Sequence, residues 1–73
     1  MMKLSVFFAD SVSKEEREKF EILSPQTFAG LPMKGKPIFV TLKNGKKLEV
    51  KTVRRTAFRT GASIEVIPIR KRR

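Results

Sequence analysis

Apolar and polar positions alternate with a period of two along most of this chain, and one short stretch departs from that pattern. In Lys3–Phe8, Leu4, Val6 and Phe8 fall on one side and Lys3, Ser5 and Phe7 on the other. This predicts a short strand with its Leu4 face inward and Phe7 partly covered. Ser13 precedes Glu16 by three residues, the spacing of a capping box. Glu15 and Glu16 would sit in the first helical turn, where the helix dipole favours acids. Glu15 and Lys19 have the spacing of an i,i+4 ion pair. A helix is therefore predicted over residues 14–23, with Phe20 and Leu23 as its buried edge and its charged face in water. Pro25 stops it, because the residue before a proline is pushed out of helical geometry.

Thr27–Pro37 reads as a loop, punctuated by Gly30, Pro32, Gly35 and Pro37, with Phe28, Leu31 and Met33 as apolar anchors. Ile38–Lys43 alternates again, Asn44-Gly45 follows, and Lys46–Val53 alternates once more. Asn-Gly between two alternating runs predicts a β-hairpin, since both residue types tolerate positive φ. Its core face would hold Ile38, Val40, Leu42, Leu48 and Val50. Its wet face would hold Phe39, Thr41, Lys43, Lys47, Glu49 and Lys51. Arg54–Gly61 either continues the strand or breaks into a connection. Ser63–Ile69 reads as the last strand, placed at an edge or bulged at Pro68, which has no N–H to give a ladder. The expected fold is α+β: a small antiparallel sheet or partly closed small barrel of about four strands, in the order β-α-β-β-β.

At 73 residues, the chain is one domain, residues 1–69, followed by a basic tail at 70–73. A domain of this size buries only about 60% of the surface its unfolded chain exposes. There is no Cys and no His, which removes disulfides, thiolate metal sites and the commonest general base. Stability must then come from oligomerisation or from a tight small barrel, and a homo-oligomer is one expectation. No apolar run approaches the roughly 20 residues of a membrane span. The apolar opening before Asp10 is too short for a signal peptide. The chain reads as complete and cytoplasmic, without a membrane partner.

Charge changes the picture most. Residues 1–30 carry four basic side chains against Asp10, Glu15, Glu16, Glu18 and Glu21, a net of −1. Residues 31–73 carry thirteen basic side chains against Glu49 and Glu65, a net of +11. A basic surface of this kind attracts phosphates and releases their counterions.

The string Val40-Thr41-Leu42-Lys43-Asn44-Gly45-Lys46-Lys47-Leu48 resembles the first hairpin of Sm-like RNA-binding proteins. That family has a short N-terminal helix before a bent antiparallel barrel and forms rings that bind single-stranded RNA. The resemblance is confined to this hairpin. The family pattern expects Gly near Val50 and then Asp, whereas this chain runs on to Arg54-Arg55-Thr56-Ala57-Phe58. It therefore carries no binding residues across.

Three groups of residues suit a polyanion. Lys43, Lys46, Lys47 and Lys51 stand with Phe39 around the hairpin, where a base can stack on the ring while lysines meet phosphates; the alternative is a solvated face whose lysines blunt an edge. Arg54, Arg55 and Arg59 flank Phe58, and the guanidinium fork suits phosphate. Phe58 itself is either a base-stacking ring or, the stronger expectation, a core residue. Arg70, Lys71, Arg72 and Arg73 form a supplementary basic contact or a solubility tail. No carboxylate pair, phosphate loop or dinucleotide motif is present. Neither an enzyme nor a metal or other cofactor is expected. The sequence thus points to a small basic nucleic-acid-binding protein, with single-stranded nucleic acid or RNA favoured because the one helix is acidic. The alternative is a small interaction protein, an inhibitor or assembly factor, docking its basic face on an acidic protein surface.

Overall fold

The computed structural model describes residues 2–59 and 61–69. It contains one five-stranded sheet, curled into a nearly closed barrel, and one short helix. The elements are β1 (Met2–Phe8), α1 (Lys14–Lys19), β2 (Gln26–Phe28), β3 (Pro37–Thr41), β4 (Lys47–Phe58) and β5 (Gly61–Pro68). The strand order is β2-β1-β5-β4-β3. β1 runs parallel to β5, and the remaining neighbours are antiparallel. The small α+β barrel expected from alternation is therefore present, with one strand more. Its helix lies between β1 and β2, and β1 is parallel to β5. It is thus not the all-antiparallel barrel preceded by a helix that the hairpin resemblance implies.

The alternating residues build the core. Leu4, Val6, Val40, Val50, Ala62, Ile64 and Val66 form one buried cluster, against which Phe8, Ile22, Phe28, Leu31, Ile38 and Leu48 pack. Thr52 is the buried polar residue among them, fully enclosed at 0% exposure, and its hydroxyl has no hydrogen-bond partner among the described residues.

The helix is shorter than its sequence pattern. Ser13 caps it, with its Oγ accepting from the Glu16 N–H at 3.2 Å, but the helix ends at Lys19, with Phe20 already extended. The next residues are taken by β3 and the turn after it. Leu23 N–H donates to the Thr41 carbonyl, Lys43 N–H donates to the Glu21 carbonyl, and Ile22 bridges Leu42. These bonds to a strand satisfy the backbone groups that another helical turn would otherwise have paired. Leu23, expected in the core, is left 46% exposed. Arg17 stays exposed on the charged face, as expected, and also ties down the β1–α1 connection. Its Nε donates to the Val12 carbonyl at 3.1 Å and its Nη2 to the Ala9 carbonyl at 2.9 Å.

Gln26 closes the barrel. Its side-chain amide donates to the Thr41 carbonyl at 2.7 Å and accepts from the Thr41 N–H at 3.0 Å. The same nitrogen donates to the Leu23 carbonyl at 2.6 Å. The primary amide carries a donor and an acceptor side by side, so it supplies the rung that backbone would supply in a fully closed sheet. The stretch expected as a loop therefore contributes to β2, and β2 to the seal against β3.

The β3–β4 hairpin forms as expected, through a different turn. Leu42 N–H donates to the Lys46 carbonyl and Gly45 N–H to the Leu42 carbonyl. Gly45 has positive φ, at 87°, and among the described residues no non-glycine does. This is a three-residue connection centred on Lys43 and Asn44, with Gly45 as its left-handed residue.

β5 is central rather than at an edge. Pro68 is tolerated because Ile69 N–H is the one that donates to β4, at Glu49. The alternate position faces β1, whose pairing with β5 has already ended at Val66. The bulge lies in β4 instead. Thr52 pairs with Val66 and Arg54 with Glu65, leaving Val53 as an extra residue.

Candidate nucleic-acid interface

That bulge decides which side chains reach solvent. Partners across a ladder share a face. Before the bulge, Val50 and Thr52 point inward and Lys47, Glu49 and Lys51 outward. Unbroken alternation would then turn Arg54, Thr56 and Phe58 inward. The extra residue reverses the phase, so Arg54, Thr56 and Phe58 join the outer face, while Arg55 and Ala57 stand level with the inward Ile64 and Ala62. Phe58, expected in the core, is consequently 57% exposed. Arg55 remains exposed because β3 stops at Pro37, the partner of Lys51, and covers nothing beyond it.

On the lower part of the outer face, Phe39 lies directly across from Glu49, with Lys47 and Lys51 at the diagonal positions. Phe39 is 60% exposed. Pro37 and Ile67 stand on either side of Lys51. The ring, Glu49 across from it, the two lysines on either side of Glu49 and these apolar flanks make up the patch. Lys43 is not part of it. It sits in the turn, 3.8 Å from Glu21. Lys46 is exposed in the same turn, its N–H accepted by the Asn44 side chain.

The arginine segment is strand through Phe58, where the sequence allowed either a strand or a connection. Arg54 and Arg55 lie side by side in sequence but on opposite faces. Arg54 reaches Glu65 at 3.7 Å, and across the sheet the same row ends in Phe7, level with Glu65, whose ring is also exposed. Arg59 is exposed at the turn that follows. Arg70, Lys71, Arg72 and Arg73 lie outside the described residues. The expected positions thus fall into a lower patch (Phe39, Lys47, Lys51), an upper strand end (Arg55, Phe58, Arg59) and an arginine between them that has an internal counter-charge.

Sequence reasoning passed over Lys3. Leu4 pairs with Ala62, which brings Lys3 level with Gly61, itself the partner of Phe58. A lone lysine at the start of a strand gave no signal, because its neighbours come from the other end of the chain.

Among the described residues there is no group of His, Cys, Asp and Glu able to hold a metal ion, and no helix is long and apolar enough to cross a membrane. No protein family, curated protein or solved structure matches the chain.

Proposed function

We propose that this chain is a small nucleic-acid-binding protein, a binding module rather than an enzyme, whose preferred ligand is single-stranded nucleic acid or RNA. The observation that carries the reading is the exposed Phe39 set between Lys47 and Lys51 on a sheet face. An aromatic ring left in water beside spaced cations suits a flexible strand, whose bases have free faces and whose phosphates can follow the lysines. A duplex offers no free base face, and the acidic helix would be repelled from its grooves. The net of +11 over residues 31–73 supplies the long-range attraction that steers such a ligand.

The test separates charge from stacking. We expect Lys47→Gln with Lys51→Gln to weaken binding of a labelled single-stranded RNA and to lower its salt slope by about 1.4, roughly 0.7 for each phosphate no longer neutralised. Phe39→Ala should weaken binding by about 5- to 100-fold while leaving that slope unchanged. Binding indifferent to all three changes would remove this face from the interface.

One observation favours a second reading, an acidic protein surface as partner. Residues 53–58 of β4 have β5 on one side and no described strand on the other. An extended acidic segment could add to that edge beside Arg54, Arg55 and Arg59. A site of that kind would depend on a few anchor residues, whereas a phosphate site loses affinity with each charge removed.

A further inference from the structure

The upper end of the sheet carries a second aromatic position, built differently from the first. Across β4, β5 and β1, the outermost row on the outer face reads Phe58, Gly61, Lys3, and the next reads Thr56, Ser63, Ser5. The middle strand therefore offers only a glycine and a serine, flanked by a ring on one side and an ammonium on the other. An open groove of ≈ 260 Å³ runs there, lined by Lys3, Ser5, Pro25, Phe58, Gly61 and Ala62. None of these lining residues is acidic.

Gly61 opens β5 immediately after the β4–β5 turn. Its φ is not in the left-handed region, and a Cβ built on it would meet nothing within 4 Å. At the opening of β5 beside the turn, a glycine leaves the backbone bare and permits the close approach of a ligand. The Phe58 ring is not spent covering it, being 57% exposed.

We propose that Phe58, Gly61 and Lys3 form a nucleobase subsite, in which a base stacks on the Phe58 ring above the bare backbone of Gly61 and the adjoining phosphate meets Lys3. This rests on the nucleic-acid reading and adds a specific place and a specific contact to it. Arg59, exposed in the turn next to Phe58, adds to the positive field at this end of the sheet.

The chain has no Trp, so Phe58→Trp in the full chain places a single fluorophore in the groove. We expect an oligo(dT) of about ten nucleotides, within the span of small single-strand sites, to quench its emission. Inorganic polyphosphate and polyglutamate at matched charge should leave the emission unchanged. Adding Gly61→Val should abolish the quench and weaken oligo(dT) binding by about 5- to 100-fold. The melting temperature should hold or rise, because valine favours a strand where glycine does not. Equal quenching by polyphosphate would reduce the groove to a phosphate contact, and quenching by polyglutamate would make it a peptide site; either overturns the proposal. So would a quench that survives Gly61→Val. Oligo(dT) that binds, by anisotropy of a labelled strand, without quenching would overturn the subsite and leave the broader reading standing. Oligo(dT) that does not bind at all would overturn the subsite, and the same result with single-stranded RNA and duplex DNA would overturn the broader reading with it.

Discussion

Thr52 shows how one residue can be placed against its own chemistry. Its side chain is wholly buried and its hydroxyl unpaired among the described residues, although its carbonyl accepts from Gly35 at 2.7 Å. A buried hydroxyl without a partner costs about 1–3 kcal/mol. Valine has nearly the same shape and no polar atom, so Thr52→Val should raise stability by about 1 kcal/mol, seen as a higher midpoint in urea unfolding with an unchanged slope. A loss of stability would mean that the hydroxyl has a partner inside the barrel. The inward position of Thr52 followed from its phase with Val50. Its isolation did not, because Thr in an alternating run looks the same whether its oxygen is paired or not.

At the level of elements, what could be read depended on whether a pattern was local. The β3–β4 hairpin was legible because Asn44, Gly45 and the runs on either side are neighbours in sequence. The Ser13 cap was legible for the same reason. The helix end was not, because residues 21–23 are claimed by Thr41 and Lys43, which lie far along the chain. The reversal at Val53 was missed too. Arg54 falling in the phase of Val50 and Thr52 was its only trace, since a charge in a core phase signals a shift of register. That single bulge carries Phe58 from the expected core to the surface, and with it the upper part of the candidate interface. Barrel closure rests on Gln26, whose role no local pattern announces. Gln26→Ala removes its three bonds to Thr41 and Leu23 at once and should cost about 1–3 kcal/mol. Hydrogen exchange at the Thr41 amide should accelerate well beyond that of the β4–β5 ladder. Uniform acceleration across the sheet would instead mean that closure and core unfold as one unit.

The whole molecule divides in the same way as its charge. The segment with a net of −1 supplies β1, the helix and β2. The segment with +11 supplies β3, β4 and β5. Every basic residue described between Lys34 and Arg59 is exposed, so the excess is available to a partner. The barrel folds β1 in beside β5, and so sets Lys3 level with Gly61 and Phe58 of the other half. The asymmetry was legible at once from composition; which cations share a face required the register. With about four to six phosphate contacts, the logarithm of the association constant should fall with the logarithm of salt concentration at a slope of about −3 to −5. The decisive measurement is fluorescence anisotropy with labelled single-stranded RNA, single-stranded DNA and duplex DNA, each titrated between about 50 and 200 mM salt. We expect micromolar or tighter binding with that slope, and both single strands ahead of the duplex. Absence of binding to all three at the lowest salt would contradict the nucleic-acid reading, and would turn the basic half towards an acidic protein instead.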